Sequence, residues 1–388
     1  MKTFFHIASE LANSSSRQVL SIGRRSSACV LNLILAVSAP LSAAASACED
    51  PRIILAPDAP SRAFLVELAT LVTHAEQRQQ HVVRGKDGWL FFVPELRSVC
   101  AGPFWGAAAP KVSRAPDPRY ADPIGPIVDF DRQLKQVGVR LLLVPVPAKT
   151  HVYPDRLSAS LSVESYKDLP RFDLWHQQFF ALLRDCSVDV LDLLPLLAEH
   201  REDPEGGVYC KTDSHWSPRA CALVADLIAE HELDRVSFAK SGFVTEQRRI
   251  EISGDLARMS GSPTPAREKL LVTFVGRRVG EILHPLEPDR QSPVVLMGDS
   301  HVLVFHDPAL YTRGAGLPDH LARRFGFPVD LIGVRGSGVN VPRITLMRRR
   351  DSLRGKKLII WCLSVREFTE NESGWRRIPV VRHNLQTE

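Results

Sequence analysis

The stretch that decides the fold is residues 293–300, which read Pro-Val-Val-Leu-Met-Gly-Asp-Ser. The first five residues are apolar without alternation, which indicates a strand buried on both faces of a parallel sheet. Sites in open α/β sheets assemble beyond the C-terminal ends of such strands. Gly298 permits a tight turn there, so the Ser300 hydroxyl can project free of the sheet. A hydroxyl nucleophile also needs a base, and the tripeptide alone is more typical of a plain turn.

Apolar runs of the same kind recur along the chain and alternate with amphipathic segments. We predict strands over residues 139–146, 188–191, 270–275, 294–297, 329–334 and 357–363. We predict helices over residues 61–78, 127–137, 171–183 and 218–231, and another that ends over 344–350. A Gly-Lys-Asp-Gly turn at 85–88 predicts a hairpin between 81–84 and 89–93, and 101–126 has the composition of a long loop. The pattern predicts an α/β fold with a mostly parallel central sheet and helices on both faces.

The N-terminal segment differs from the rest of the chain. Residues 26–47 carry no charge, follow Arg24 and Arg25, and end in the small-residue site 45–47. That pattern is typical of a secretory signal cleaved after Ala47, and an uncleaved membrane anchor is the alternative. In either case we expect a periplasmic protein, soluble or tethered to the inner membrane, with a single catalytic domain over 48–388.

The overall composition excludes several classes of protein. Of 388 residues, 44% are hydrophobic and 24% are charged, which excludes a disordered chain, a collagen and a polytopic membrane protein. The formal net charge is +5, but four basic residues and one acidic residue lie within 1–47, so the remainder carries only +2. Because nucleic-acid binders need a concentrated basic face, we predict no nucleic-acid partner.

The cysteines leave two interpretations open. An oxidising compartment would permit disulfides, and the alternative is a set of buried free thiols. No Cys-x-x-Cys pair is present, so a zinc ribbon or a redox motif is not supported. The cysteines after the leader are Cys48, Cys100, Cys186, Cys210, Cys221 and Cys362.

A second chemical signal is the segment 211–216, which reads Lys-Thr-Asp-Ser-His-Trp just before a helix start at Ser217 and Pro218. An Asp two residues before a His can accept a hydrogen bond from the ring Nδ1–H and leave Nε2 facing a hydroxyl, as in a Ser-His-Asp triad. A surface loop with a capping carboxylate is the alternative. A cation bound by Asp213, His215 and Cys210 lacks a further spaced ligand pair, so we predict no metal and no cofactor.

Five motifs occur in the order of a known family. They are Gly-Lys-Asp-Gly-Trp-Leu-Phe at 85–91, Val-Pro-Val-Pro-Ala-Lys at 144–149, Thr-Asp-Ser-His-Trp-Ser-Pro at 212–218, Gly-Asp-Ser at 298–300 and Leu-Ile-Ile-Trp at 358–361. Together they resemble the alginate O-acetyltransferase family of the AlgJ/AlgX type, which has an SGNH-hydrolase-like fold. The Asp-x-His pair precedes the Ser in that family, a permuted order relative to ordinary SGNH esterases, and this sequence shares it. The resemblance implies that Ser300 is the nucleophile, His215 the general base and Asp213 its orienting partner.

Two features depart from the family pattern. His301 follows the serine, where the family more often has an aromatic or small residue. It is either a packed or solvent-facing imidazole, or a second base or substrate contact. The residues after Trp361 resemble the family's ending only loosely, and the chain stops soon afterwards. We therefore expect no C-terminal carbohydrate-binding module.

Other site residues are expected at neighbouring strand ends. A tetrahedral intermediate needs N–H donors about 3 Å from its oxygen, and the Ser300 amide is one. Residues 335–340 follow a predicted strand, so Gly336 and Gly338 could add a backbone donor and Asn340 a side-chain donor, although a plain turn is equally open. Lys149 and Tyr153 come just past another predicted strand end. They either contact the substrate or lie at the rim of the core. An acidic acceptor would need local cations, of which Lys149 and Arg335 are the first to test.

The resemblance implies acetyl transfer onto hydroxyls of an exopolysaccharide such as alginate, through an acetyl-serine intermediate. Its partners would be the polysaccharide acceptor, a membrane-bound O-acyltransferase that delivers the acetyl group, and other polysaccharide export proteins. Two alternatives remain open at this point. One is a carbohydrate acetylesterase that uses the same triad with water, and the other is a non-catalytic polysaccharide-binding subunit of an export complex.

Overall fold

The computed structural model describes residues 58–158, 160–161, 170–233, 235 and 242–381. The predicted leader and its cleavage site lie outside the described residues. Within the described part, no helix combines the length and the apolar character needed to cross a membrane.

The elements alternate along the chain much as the apolar pattern predicts. The strands are β1 (Val82–Arg84), β2 (Leu90–Phe92), β3 (Arg140–Val146), β4 (Asp189–Val190), β5 (Val244–Ile252), β6 (Glu268–Val279), β7 (Ile282–Pro285), β8 (Val294–Gly298), β9 (Asp330–Gly333) and β10 (Leu358–Ser364). The helices are α1 (Ala59–Gln77), α2 (Val93–Cys100), α3 (Ala109–Val112), α4 (Ile124–Gln136), α5 (Lys149–Val152), α6 (Leu174–Asp185), α7 (Leu194–Glu199), α8 (Pro218–Glu232), α9 (Asp255–Met259), α10 (Leu317–Phe325), α11 (Asn340–Arg349) and α12 (Glu367–Glu370).

Five strands form the predicted parallel sheet, in the order β4-β3-β10-β8-β9. Every residue of β8 and of β10 is buried. Since successive side chains of a strand point to opposite faces, both faces of the sheet are covered. The parallel direction brings the C-terminal ends of β3, β8, β9 and β10 to one edge, where the active-site residues are expected.

A second sheet is antiparallel, in the order β5-β6-β7. The predicted strand over 270–275 is confirmed within β6, but it lies in this second sheet rather than beside the parallel strands. Its partner β5 was missed because its sequence, Val-Thr-Glu-Gln-Arg-Arg-Ile-Glu-Ile, is polar and mostly exposed. A search for apolar runs cannot detect a strand that is held by backbone pairing at the surface.

The predicted hairpin is confirmed as the antiparallel pair β1–β2. Its turn places Asp87 and Gly88 in the left-handed region, with φ of 53° and 79°, a conformation that glycine adopts without strain. The second strand, β2, ends at Phe92, one residue before the predicted end. It ends there because α2 begins at Val93, with Pro94 in its first turn, a position that proline tolerates. Residues 101–126, predicted as a loop, contain α3 and single helical turns.

Gly298 ends β8 at a point where β10 passes very close. A Cβ at this position would overlap the carbonyl oxygen of Cys362, its neighbour in the parallel register. The glycine is therefore required by the sheet and not only by the turn that follows it. Four cysteines are buried free thiols, as the second interpretation has it: Cys100, Cys210, Cys221 and Cys362. Cys186 is disulfide-bonded, so the disulfide interpretation holds for that residue.

Candidate active site

Asp213, His215 and Ser300 meet at the C-terminal edge of the parallel sheet. The Ser300 hydroxyl lies 2.7 Å from His215 Nε2, and His215 Nδ1 lies 2.7 Å from Asp213 Oδ1. Asp213 and His215 are buried, whereas Ser300 is half-buried and can be reached from solvent. The structure thus brings together three residues that come from segments 85 positions apart. Their order of contact is that of a nucleophile, a base and an orienting carboxylate.

The local structure on each side explains this arrangement. Ser300 begins a single helical turn directly after β8, so its side chain leaves the sheet at the strand end. His215 comes two residues before Ser217, the N-cap of α8, which accepts a hydrogen bond from the Ala220 N–H at 3.3 Å. The predicted helix start at Ser217 and Pro218 is therefore confirmed. This helix start fixes the course of the chain that places His215 beside Ser300.

The charge of Asp213 favours one tautomer of the His215 imidazole. Burial opposes ionisation of Asp213, but the charge of His215 and hydrogen bonds from His215 and Tyr311 outweigh it and hold its pKa well below the usual range. Burial likewise opposes protonation of His215, but Asp213 outweighs it and raises the His215 pKa. An ionised Asp213 can only accept a hydrogen bond from Nδ1–H. Nε2 of the neutral ring therefore carries the lone pair that faces the serine hydroxyl.

Asp213 is held by groups that the sequence analysis missed. Its Oδ2 accepts a hydrogen bond from the Tyr311 hydroxyl and another from the Asp255 N–H at 2.7 Å. A Cβ on Gly254 would overlap the Thr212 carbonyl, so the start of α9 packs directly on the backbone before Asp213. Tyr311 lies in a loop with φ of 84°, and no sequence pattern marks it. Asp255 follows a Ser-Gly pair after β5, and an acidic residue in that position is a helix-start signal that could have found it.

A second carboxylate stands beside the triad. Asp255 accepts hydrogen bonds from the Ser214 N–H at 2.7 Å and from its hydroxyl at 2.5 Å, and its Oδ2 lies 3.9 Å from His215 Nδ1. Asp213, His215 and Asp255 could together hold a cation. Both oxygens of Asp213 and both oxygens of Asp255 already accept hydrogen bonds from N–H or O–H groups. These atoms therefore fit a hydrogen-bonded triad better than a metal centre.

Lys149 does not lie where a substrate could touch it. Its ammonium donates to the carbonyl oxygens of Leu90, Lys211 and Asp213, at 2.8, 3.2 and 2.7 Å, and the residue is buried. All three protons are used, so the core-rim alternative holds and the substrate-contact interpretation is wrong. Burial lowers the pKa of Lys149 despite the nearby Glu95 and Asp213. The lysine instead ties the β1–β2 hairpin to the loop that carries Asp213.

Tyr153 and Asn340 are also structural. The Tyr153 hydroxyl donates to the Arg201 carbonyl at 2.6 Å and accepts from the Val208 N–H at 3.1 Å, inside the core. Asn340 donates both amide hydrogens, to the Ser373 hydroxyl at 3.0 Å and to the Gly374 carbonyl at 2.7 Å. An amide with both hydrogens used cannot serve an oxyanion, so that expectation for Asn340 is wrong.

The glycine loop after β9 does reach the serine turn. A Cβ on Gly338 would overlap the backbone nitrogen of Asp299, so the loop packs against the residue before Ser300. Gly336 is exposed in open space with φ of 115°. Arg335 is exposed and pairs with Asp307, which leaves it as a surface cation on the same loop.

His301 is packed against His215. Its ring lies 4.8 Å from the His215 ring, between centroids, and the residue is buried. Its Nδ1 lies 2.9 Å from Asp299 Oδ1. The imidazole is therefore not solvent-facing, and it stands within the same cluster of side chains as the triad.

A family described as "SGNH hydrolase-like domain, acetyltransferase AlgX" matches residues 82–365. The chain belongs to this family. The match runs from β1 to the end of β10 and includes Asp213, His215 and Ser300. The predicted SGNH-hydrolase-like α/β fold, with its parallel sheet and helices, is confirmed.

The curated relatives in the family are named probable alginate O-acetylase AlgJ. The protein of Pseudomonas aeruginosa is 30% identical over 144 residues, which are 37% of this chain and 31% of that protein. The protein of Pseudomonas fluorescens is 26% identical over 296 residues, which are 72% of this chain and 66% of that protein. The chain therefore spans less than two thirds of the length of these relatives.

Solved structures show the same family fold. The O-acetyltransferase domain of Pseudomonas putida AlgJ superposes with a TM-score of 0.55 at 22% identity, over 74% of this chain and 92% of that chain. Pseudomonas aeruginosa AlgX superposes with a TM-score of 0.52 at 18% identity, over 75% of this chain and 66% of that chain. At these identities the likeness concerns the fold, and the chemistry must be argued from this chain's own residues.

Proposed function

We propose that the protein is an O-acetyltransferase that acetylates hydroxyls of an alginate-like exopolysaccharide through an acetyl ester on Ser300. The observation that carries the proposal is the hydroxyl of Ser300 at 2.7 Å from His215 Nε2, with Asp213 bonded to the opposite ring nitrogen. That geometry suits acyl transfer in general. The names of the curated relatives support acetyl as the acyl group and alginate as the type of acceptor.

In the first step the neutral His215 takes the Ser300 proton as Oγ attacks the carbonyl carbon of the acetyl donor. The bond from Oγ to the acetyl carbon forms, the bond to the donor's leaving group breaks, and the imidazolium returns the proton to that leaving group. Asp213 stabilises the imidazolium while it exists. The raised pKa of His215 makes it a competent base.

In the second step a hydroxyl of the acceptor replaces the donor beside His215. His215 takes the hydroxyl proton, the acceptor oxygen attacks the acetyl carbon, and the bond to Ser300 Oγ breaks. Oγ recovers its proton from His215, which returns the enzyme to its starting state. Water in place of the acceptor would release acetate, which is the esterase alternative.

Two backbone donors are available for the tetrahedral oxygen. Neither the Ser300 N–H nor the Gly338 N–H donates a hydrogen bond to another described residue. Both groups lie at the turn where Gly338 packs against the backbone before the serine. Free N–H groups next to a nucleophile are what an oxyanion hole requires. Ser337, tied to Glu367 at 2.5 Å, anchors the glycine loop.

The location and partners form part of the proposal. The residue pattern over 24–47 supports a periplasmic protein that is either soluble after cleavage near Ala47 or tethered to the inner membrane. The acceptor would be the exopolysaccharide, and the acetyl group would be delivered by a membrane-bound O-acyltransferase that works with other polysaccharide export proteins.

Mass spectrometry of the intact protein after addition of an activated acetyl ester tests the chemistry. We expect one added acetyl group, located on Ser300 after digestion, and none in Ser300→Ala. Ser113→Ala, which changes a serine outside the active site, should acetylate like wild type. An adduct that persists in Ser300→Ala, or no adduct in the folded wild type, would overturn the proposal. Supplying a glycan acceptor then separates acetyl transfer from release of acetate.

A further inference from the structure

The Asp-x-His unit occurs twice around Ser300, at 213–215 and at 299–301. In each unit the aspartate Oδ1 accepts the histidine backbone N–H at 2.9 Å and also contacts the ring Nδ1, at 2.7 Å for His215 and 2.9 Å for His301. The two rings lie 4.8 Å apart between centroids. Ser300 therefore directly follows Asp299 of one unit and is hydrogen-bonded to His215 of the other unit.

Asp299 determines which nitrogen of His301 carries the proton. Its Oδ2 accepts the Ser364 N–H at 2.8 Å, and although burial opposes ionisation, the interactions with His301, Arg366 and Ser364 hold the Asp299 pKa well below its usual range. An ionised carboxylate at Nδ1 requires Nδ1–H. Burial, together with His215 and Arg366, lowers the pKa of His301 in spite of Asp299. At neutral pH the ring is therefore neutral, and Nε2 carries a lone pair.

Nε2 of His301 accepts no hydrogen bond from any residue that the structure describes. The equivalent atom of His215 faces the Ser300 hydroxyl. His301 as a whole is only 2% exposed, yet its Nε2 is not among the fully enclosed atoms that lack a partner within the described residues. The atom is therefore an open acceptor at the surface of the site, where a hydrogen-bond donor on a bound ligand can reach it. An acetyl ester has no polar hydrogen to offer. The sugar acceptor of the second step does, since it carries several hydroxyl groups.

We propose that His301 Nε2 accepts a hydrogen bond from the hydroxyl next to the one that is acetylated, so that the enzyme recognises a vicinal diol. The attacking hydroxyl faces His215 and its neighbour faces His301, because the two rings stand side by side. His301 contacts the acceptor but takes no proton from it. This inference rests on the proposed acetyl transfer and adds the class of acceptor. It also favours a sugar over water, since water cannot bond to both rings from two adjacent oxygens.

Two variants separate the bond to the acceptor from the bond to Asp299. In His301→Asn the amide N–H can still reach Asp299, but no acceptor remains at the position of Nε2. In His301→Gln an amide oxygen can take the place of Nε2. The matched control is His306→Asn, because His306 pairs with Asp319 in the same way, with Nδ1 at 2.9 Å from Oδ2, and lies outside the triad.

The experiment loads each protein with acetyl-Ser300 from an activated ester and then adds a simple glycoside acceptor. One acceptor has the vicinal diol, and the other is its analogue lacking the neighbouring hydroxyl. We expect wild type and His306→Asn to transfer acetyl about 3–10-fold faster to the diol, the value of one hydrogen bond. The ratio of the transfer rate to the diol over the transfer rate to its analogue should fall to about 1 in His301→Asn and recover in part in His301→Gln.

The outcomes distinguish the two proposals. If wild type forms no acetyl-Ser300, the proposed function fails before the acceptor is added. If acetyl-Ser300 forms but wild type does not prefer the diol, the inference about His301 is wrong and the proposed function stands. The inference is equally wrong if His301→Asn keeps the wild-type ratio. If His301→Asn fails to form acetyl-Ser300, the rate ratios of wild type and His301→Gln still test the inference, which is wrong if wild type shows no preference for the diol or if His301→Gln shows none.

Discussion

Asp213 accepts hydrogen bonds at both of its oxygens from three different residues. The His215 N–H and ring Nδ1–H reach Oδ1, while the Asp255 N–H and the Tyr311 hydroxyl reach Oδ2. A fully buried carboxylate with four donors is kept ionised and kept in place. In the proposed mechanism its charge gives His215 the tautomer and the basicity that deprotonation of Ser300 needs.

Asp213→Asn should lower the plateau rate of acetyl-Ser300 formation by about 10³–10⁴-fold, because the amide favours the wrong tautomer of His215. The pH dependence should shift as well. His215 acts as a base only when it is neutral, so the wild-type rate rises with pH through a pKa above its ordinary value of 6.5. Removing the Asp213 charge lowers that pKa, so the rise should move to lower pH in the variant.

Stopped-flow measurement of acetyl-Ser300 formation between pH 5 and pH 9 checks both effects. Asp307→Asn removes a carboxylate that pairs with Arg335 at the surface, and it serves as the control. A variant with an unchanged plateau and an unchanged rise would show that Asp213 does not orient the base.

The glycine loop between β9 and α11 packs directly against the serine turn. Gly338 packs on the Asp299 backbone, and the Trp361 indole N–H donates to the Gly338 carbonyl at 3.0 Å. Trp361 belongs to the Leu-Ile-Ile-Trp motif on β10. Two separated motifs thus hold a single turn, and the position of the Ser300 amide depends on both.

Gly338→Ala should slow acetyl-Ser300 formation at least tenfold and reduce the free energy of unfolding by about 1–3 kcal/mol. The added methyl group has no room beside Asp299, so the glycine loop or the serine turn must move. Gly242→Ala is the matched control, because a Cβ there meets nothing within 4 Å and the backbone is not left-handed. Urea unfolding and the acetylation rate measure the two effects. Equal behaviour of both variants would contradict the packing argument.

Elements with a local signal could be predicted, and elements held by distant partners could not. The apolar runs of β3, β8 and β10 and the capping residues of α8 each carry their own pattern. The polar β5 is stabilised by pairing with β6, and Tyr311 reaches Asp213 across 98 residues. Neither has a pattern of its own. Asn340 was misjudged because its partners, Ser373 and Gly374, lie in the C-terminal segment.

At the scale of the whole molecule, buried histidines make stability depend on pH. His151 and His176 stack edge to face at 5.3 Å, and His151 Nε2 and His176 Nδ1 are buried without a hydrogen bond. Burial lowers the pKa of His151 to about 4 and that of His176 to about 3, from 6.5. Between pH 6.5 and about 4 the unfolded chain binds protons that the folded chain excludes. The free energy of unfolding should therefore fall as the pH is lowered through this window.

His176→Phe should remove part of this pH dependence. We expect the loss of unfolding free energy between pH 7.5 and pH 5 to shrink by about 2 kcal/mol, since one buried group no longer titrates. Urea unfolding at the two pH values measures the difference. Phe179→Leu, in the same aromatic cluster, should lower stability equally at both. A pH dependence unchanged in His176→Phe would assign the acid sensitivity to other groups. The lowered pKa values of Asp213 and Asp299 act at more acidic pH and do not overlap this window.

The buried ammonium of Lys149 connects the hairpin to the active site without being part of it. It is bonded to backbone carbonyls 59, 62 and 64 residues away in sequence, and the last of them belongs to Asp213. A buried cation that loses its acceptors is costly, so the β1–β2 hairpin and the Asp213 loop are held together for as long as Lys149 stays in the core. A substitution that loosens the hairpin would therefore disturb the backbone of Asp213, and sensitivity of the activity to the hairpin would not mean that the hairpin binds substrate.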